Sequence, residues 1–99
     1  MPYVIKFHDD PDVTERKKDL RAVHLEYVNK NAARIIASGG LFPDDDDFPV
    51  GGLIILDTEE RQEAVDYIEN DPFYLNGIFT NYTIDKWRKF IFDHRRVNP

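Results

Sequence analysis

An uninterrupted apolar run, Gly51–Leu56, is the feature that most restricts how this chain of 99 residues can fold. A run of this length without a charge is typical of a strand at the centre of a sheet. The segments before and after it are therefore expected to supply the neighbouring strands and the helices that cover them.

The first half of the chain predicts one strand and one long helix. Tyr3–His8 is rich in β-branched and aromatic residues and ends at the turn signal Asp9-Asp10-Pro11, which is typical of an opening strand. From residue 13 to 38, apolar residues recur at helical spacing, so we predict a helix with Thr14 as its N-cap. Gly39-Gly40 is interpreted as the signal that stops this helix.

The second half predicts two more strands and a second helix. Leu41-Phe42-Pro43 is expected to be a short edge strand, because proline cannot donate to a sheet ladder. Asp57-Thr58-Glu59-Glu60 supplies an N-cap and early acidic residues for a helix whose buried stripe is Ala64, Val65 and Ile68, and Asn70-Asp71-Pro72 ends it. Residues 77–87 alternate apolar with polar side chains and are predicted as the last long strand.

The resulting order is β-α-β-β-α-β, which is the ferredoxin-like pattern of the α+β class. It predicts a four-stranded antiparallel sheet with two helices on one face, in a single domain over residues 1–99, with a core of about 3–92 and a tail at 93–99. The uncovered face of such a sheet is best buried against a second copy, so a homodimer is expected.

Composition excludes several classes of function. The net charge of −6 argues against nucleic-acid binding, and the absence of cysteine excludes disulfides and thiol chemistry. No apolar run approaches the roughly 20 residues that span a bilayer, and no signal peptide precedes the first strand, so a cytoplasmic protein without membrane contact is expected. The acidic residues 44–47 lack the spacing of a calcium loop and there is no His-x-x-x-His pair, so no metal site is predicted.

His24 is the first candidate functional residue. Helical spacing directs it towards the sheet with Val23, Tyr27 and Val28, where its ring nitrogens need hydrogen-bond partners. Asp71 is a suitable partner, because a carboxylate fixes the histidine tautomer. Two simpler interpretations stay open: His24 bonds to a backbone carbonyl at the edge of the core, and Asp71 only caps the turn at Pro72.

Five short motifs follow one another along the chain. They are Arg21-Ala22-Val23-His24-Leu25, Gly39-Gly40-Leu41-Phe42-Pro43, Gly51-Gly52-Leu53-Ile54, Asp71-Pro72-Phe73 and Asn76-Gly77-Ile78, with Trp87 after them. In this order they resemble the YciI-like (YCII-related) family. The resemblance implies a ferredoxin-like dimer of the dimeric α/β-barrel type, with a pocket between helix and sheet that holds His24 and Asp71.

Two functions follow from this pattern. In the first, the protein is a small enzyme in which His24 acts as general acid or base, oriented by Asp71, in isomerase, lyase or hydrolase chemistry on a small organic substrate without a cofactor. Arg21 is expected to bind a substrate carboxylate or phenolate, unless it only forms a surface ion pair with Glu26 or Asp19. In the second, the same pocket belongs to a non-catalytic ligand-binding or regulatory module.

Overall fold

A computed structural model describes residues 1–98. Its elements are β1 (Tyr3–His8), α1 (Thr14–Lys30), β2 (Ile35–Leu41), β3 (Gly51–Leu56), α2 (Arg61–Glu69), α3 (Pro72–Leu75), β4 (Tyr82–Lys86), β5 (Ile91–Phe92) and β6 (Arg95–Arg96). The first four strands form one antiparallel sheet in the order β2-β3-β1-β4. The predicted ferredoxin-like fold is confirmed.

The core lies between this sheet and the helices. Along β1, Tyr3, Ile5 and Phe7 are buried, whereas the alternate residues are partly or fully exposed, as expected for a sheet covered on one face. The α2 residues Ala64, Tyr67 and Ile68 pack against the same core. Val65, which was predicted to belong to the buried stripe of this helix, is only partly buried and packs at the margin of the core.

The helix predicted over residues 13–38 was too long, because α1 ends at Lys30. A 3-10 turn, Ala32–Arg34, follows it, and Ile35–Leu41 then forms β2 against β3. Of the short strand predicted at Leu41-Phe42-Pro43, only Leu41 lies in a strand. Gly39 and Gly40, expected to stop a helix, lie within that strand opposite Leu53 and Gly52. Pairing along a whole strand outweighs the weak helical preference of these residues.

The ends of the other elements also differ from expectation. Thr14 is the first residue of α1 and not its N-cap, and the cap position, Val13, offers no side-chain bond. At α2 the Thr58 hydroxyl accepts the Glu60 backbone N–H at 3.1 Å, so Thr58 satisfies a donor near the helix start.

The last strand is shorter than predicted. It spans only Tyr82–Lys86, because Gly77 has a φ of +73° and the consecutive residues Ile78 and Phe79 are both fully buried. Burial of both neighbours does not fit the alternation of buried and exposed residues that was predicted for this segment. Ile91 and Phe92 pair with Arg95 and Arg96 in the small β5–β6 hairpin, and Ile91 and the preceding Phe90 are exposed.

Candidate active site

A cavity of about 630 Å³ lies between α1 and the half of the sheet that β2 and β3 form. On the helix side it is lined by Lys17, Arg21, His24 and Val28, which are spaced by four, three and four residues and so share one face of α1. A cavity of this size lies within the range of small-molecule sites.

Small residues on the sheet leave room for this cavity. Ser38 and Gly40 of β2 and Gly52 of β3 line its floor. A Cβ atom at Gly52 would lie 2.8 Å from the Phe7 ring, and one at Gly40 would lie 3.1 Å from Phe42 and Pro49. Larger side chains would therefore displace the cavity wall or fill the space.

His24 and Asp71 meet at this cavity. Nδ1 of His24 lies 2.9 Å from Oδ1 of Asp71, although 47 residues separate them in sequence. Asp71 is 1% exposed, and the side chain of His24 is 20% exposed. Because an ionised carboxylate only accepts hydrogen bonds, this contact assigns the proton to Nδ1 and leaves the lone pair of Nε2 free.

The local structure at the end of α2 explains the position of Asp71. The helix ends at Glu69, Asp71 adopts an extended backbone as N-cap of α3, and Pro72 takes the first helical position. Oδ1 of Asp71 also accepts the backbone N–H of Phe73 at 2.9 Å. Asp71 therefore caps a turn and bonds to His24 with the same oxygen, so the two interpretations of this residue are not exclusive.

Phe73 fixes the plane of the imidazole. The two rings are stacked with centroids 3.8 Å apart and planes 7° from parallel. With one ring nitrogen bonded and one face covered, His24 has little rotational freedom. Val23, which was expected to face the sheet beside His24, is 46% exposed.

Arg21 lies on the exposed rim of the cavity. Within residues 1–98 it forms no ion pair with Glu26 or Asp19, so the simpler interpretation of this residue finds no support. Its guanidinium is available to a ligand, and its predicted role as a substrate-binding residue stays a prediction.

Lys17 is a cavity residue that the sequence did not single out. Its Nζ donates to Oδ2 of Asp9 and to the carbonyl oxygen of Pro49, each at 2.7 Å, and the residue is 6% exposed. A lysine in an amphipathic helix is normally expected in solvent. The one sequence signal for Lys17 is its position seven residues before His24, which places both residues on the same face of α1.

Two tyrosines border the pair. Burial raises the pKa of Tyr67, which lines the cavity, and the negative charge of Asp71 raises it further. The pKa of Tyr27 is raised by the same two causes, and its hydroxyl donates to the Tyr67 carbonyl at 2.6 Å. Both phenols therefore stay protonated over the physiological pH range. The Tyr27 hydroxyl is used by the Tyr67 carbonyl, so only Tyr67 lines the cavity as a neutral phenol.

The remaining candidates lie apart or have other roles. Ser38, interpreted from sequence as a helix cap, belongs to β2 and lines the cavity. The acidic residues 44–47 are exposed, and Asp47 reaches the cavity rim. No group of three or more metal-ligating side chains occurs among the residues that the structure describes. In the same part of the chain, no helix is long and apolar enough to cross a membrane.

Comparison with known proteins gives three results. A family model described as the YCII-related domain matches residues 1–88. An uncharacterized protein of Haemophilus influenzae is 27% identical over 96 residues, which cover 90% of this chain and 98% of that protein. The solved structure of 5-chloro-2-hydroxyhydroquinone dehydrochlorinase from Burkholderia phenoliruptrix, in complex with 2,5-dihydroxybenzoquinone, is similar with a TM-score of 0.79 and 28% identity, covering 89% of this chain and 94% of that one.

Proposed function

The chain belongs to the YCII-related family, and from this premise we propose that it is a small acid–base enzyme with His24 as its proton-transferring residue and Asp71 as the partner that orients it. The observation that carries this proposal is the 2.9 Å bond from His24 Nδ1 to Asp71, which leaves Nε2 free beside a cavity. Proton transfer by a histidine held in this way typically accelerates a reaction by about 10²–10⁴-fold.

The chemistry proposed is an elimination or isomerisation of a small hydroxylated ring compound. Nε2 of His24 takes a proton from a carbon or hydroxyl of the substrate, and the electron pair left behind expels an anionic leaving group or shifts a double bond. The imidazolium formed is stabilised by Asp71 and then returns the proton to the product or to water. A step of this type requires no cofactor.

Two facts support this reaction class. The similar dehydrochlorinase has a name that denotes an elimination, and it was solved with a dihydroxylated quinone. The cavity here is lined by aromatic side chains, including Phe7, Phe48 and Phe73, that suit a flat ring. Arg21 at the rim is proposed to bind a phenolate or carboxylate group as such a substrate enters.

The proposal is tested by comparing turnover in the wild type and in His24→Gln. Glutamine keeps a hydrogen-bonding group but cannot transfer a proton near neutral pH, so turnover should fall by at least about a hundredfold while circular dichroism stays unchanged. The substrates are a panel of chlorinated hydroxyhydroquinones, small lactones and enol acids. His94→Gln, a histidine in the exposed hairpin tail, is the matched control and should retain full activity.

A substrate converted equally well by the wild type and by His24→Gln would contradict the role of His24. If the wild type converts none of the compounds but binds some of them in the cavity, the non-catalytic binding module is the better description.

A further inference from the structure

Tyr67 carries a buried hydroxyl that the rest of the protein does not use. The residue is 3% exposed and lines the cavity. Among residues 1–98 its hydroxyl has no hydrogen-bond partner, yet the oxygen is not sealed off from solvent. Because almost all of the residue is buried, we infer that this accessible oxygen faces the cavity. Buried polar groups normally have a partner, so a free hydroxyl here indicates a contact with a ligand.

The phenol lies close to the pair formed by His24 and Asp71. Tyr27 follows His24 by three residues on α1, and Tyr67 precedes Asp71 by four. His24 bonds to Asp71, and one helical turn further along α1 the Tyr27 hydroxyl donates to the Tyr67 carbonyl at 2.6 Å. The two contacts are neighbouring steps along the same pair of segments. A small ring in the cavity can therefore reach both the imidazole and the Tyr67 hydroxyl.

We propose that Tyr67 is a further catalytic residue, whose hydroxyl donates a hydrogen bond to the substrate oxygen that becomes negative when His24 removes a proton. This inference rests on the proposed function. It narrows the substrates to rings in which the acidic C–H lies beside a carbonyl, such as the keto form of a hydroxylated ring.

The reaction step needs no oxidant or reductant. Nε2 of His24 takes the proton from the carbon beside the carbonyl, and the C–H electron pair becomes a C=C bond. The carbonyl π pair moves onto the oxygen, which accepts the Tyr67 O–H. The carbonyl then re-forms, and the electrons of the C=C bond expel an anion such as chloride from the next carbon or take a proton at another ring position. The Tyr67 proton stays on the tyrosine throughout.

The electrostatics of the site suit a neutral donor at this position. Burial, and then the charge of Asp71, raise the pKa of the Tyr67 phenol, so it keeps its proton and can only donate to an oxyanion. Before proton transfer the Asp71 carboxylate opposes a negative charge nearby. After transfer His24 is an imidazolium and compensates that carboxylate. The site therefore stabilises the enolate more than the ketone, which is what lowers a reaction barrier.

The surroundings of the phenol strengthen this hydrogen bond. Phe7, Ile54 and Phe73, all buried, line the same cavity, and a hydrogen bond to a charged oxygen is stronger in such a low-dielectric setting than in water. The Tyr27 ring lies 5.3 Å from the Tyr67 ring, and its hydroxyl holds the Tyr67 backbone. A donor fixed in this way needs no reorganisation when the charge forms.

Tyr67→Phe tests the proposal, because it removes the hydroxyl and keeps the ring. Tyr74→Phe is the matched control, since Tyr74 packs on Phe79 and does not line the cavity. Two probes are titrated calorimetrically. 2,5-Dihydroxybenzoquinone carries enolate oxygens near neutral pH because its hydroxyls are vinylogous acids, and toluene is a flat ring without an acceptor.

Tyr67→Phe should bind dihydroxybenzoquinone at least about tenfold more weakly, as expected for the loss of a hydrogen bond to a charged oxygen. Its affinity for toluene and its urea midpoint should not fall, because the hydroxyl has no partner within the protein. On a compound that the wild type converts, kcat should fall by about 10²-fold with little change in KM, since the bond strengthens as the charge develops. Tyr74→Phe should stay within about twofold of the wild type throughout.

Equal affinity of Tyr67→Phe and the wild type for dihydroxybenzoquinone would overturn the proposal, and so would a wild type that does not bind this compound. A variant that binds both probes more weakly and unfolds at lower urea would also overturn it, because Tyr67 would then be structural. Full turnover in Tyr67→Phe, with none in His24→Gln, would reject Tyr67 and keep His24. Weaker dihydroxybenzoquinone binding by Tyr67→Phe, in a protein that converts no compound of the panel, would reject His24 and keep the Tyr67 hydrogen bond.

Discussion

Replacing Asp71 by asparagine separates its two roles. In the structure Oδ1 of Asp71 accepts both the Phe73 backbone N–H and the His24 Nδ1–H, each at 2.9 Å. Asparagine is as good an N-cap as aspartate, so the first bond survives the change. The second bond loses its negative charge, and the amide can also turn its NH₂ group towards His24.

The structure allows the size of each effect to be worked out. A hydrogen bond to a charged group contributes about 1.5–3 kcal/mol and a neutral one about 0.5–1.5 kcal/mol, so Asp71→Asn should lower the free energy of unfolding by about 1 kcal/mol. Asp71→Ala loses the cap as well and leaves the half-buried Nδ1–H without an acceptor, so its loss should be about 2–4 kcal/mol. If Asp71 were only a cap, the asparagine variant would be as stable as the wild type.

Activity and tautomer should respond more sharply than stability. In Asp71→Asn the proton is no longer confined to Nδ1, so a fraction of His24 carries it on Nε2 and cannot act as a base there. Turnover should therefore fall by about 10²–10⁴-fold, the range that proton transfer by a positioned group contributes.

Nitrogen-15 shifts of the imidazole ring report the tautomer directly, and urea unfolding reports the stability. The matched control is Asp66→Asn, which removes the same charge from an exposed position of α2. It should change neither the tautomer nor the turnover. An Asp71→Asn variant with the wild-type tautomer and wild-type turnover would refute the orienting role of Asp71.

Two further predictions concern the assembly and the alkaline limit of stability. The open face of the sheet carries the partly exposed apolar residues Val4, Leu53 and Ile55, so we expect it to be covered by a second copy. Light scattering should return a dimer mass for the wild type at micromolar concentration and a monomer mass for Ile55→Lys. A monomeric wild type would contradict the dimer. Burial and the hydrogen bond to Glu69 raise the pKa of Tyr82 to about 12. The contribution of Tyr82 to the free energy of unfolding is therefore complete below the unfolded pKa of about 10 and is lost as pH rises through about 12. The urea midpoint should fall over that interval, less so in Tyr82→Phe, and a flat midpoint would exclude this linkage.

The sequence predicted the elements whose pattern has only one interpretation. β1 and β3 have the predicted bounds, because alternation and an unbroken apolar run both favour a strand and nothing in them favours a helix. The second strand was predicted only at Leu41-Phe42-Pro43, and the rest of β2 was missed because Ala32, Ile35 and Ile36 continue the helical spacing of α1. Its partner, β3, is too distant in sequence for a local pattern to reveal the pairing.

The candidate site was also predicted only in part. His24 and Asp71 were selected by helical spacing and by an ordered set of motifs, and the structure brings their side chains into contact. Ser38 was missed as a direct result of the error in β2. Lys17 was missed because burial of a lysine depends on acceptors from Asp9 and Pro49, which belong to other parts of the chain.

The polar residues on the inner face of α1 have a physical cause. Val13, Leu20 and Tyr27, spaced by seven residues, pack on the core, while Lys17, Arg21, His24 and Val28 face the cavity beside them. A helix that covers a complete core needs an apolar stripe over about 100° wide, but a cavity lined by Ser38, Gly40 and Gly52 separates part of α1 from β2 and β3. The adjoining positions of α1 are therefore free to be polar, and their side chains meet a ligand-sized space with the buried carboxylate of Asp71 at its edge. The weak apolar pattern of this helix is thus a consequence of the cavity, and the polar residues within that pattern are the ones through which the protein would act on a ligand.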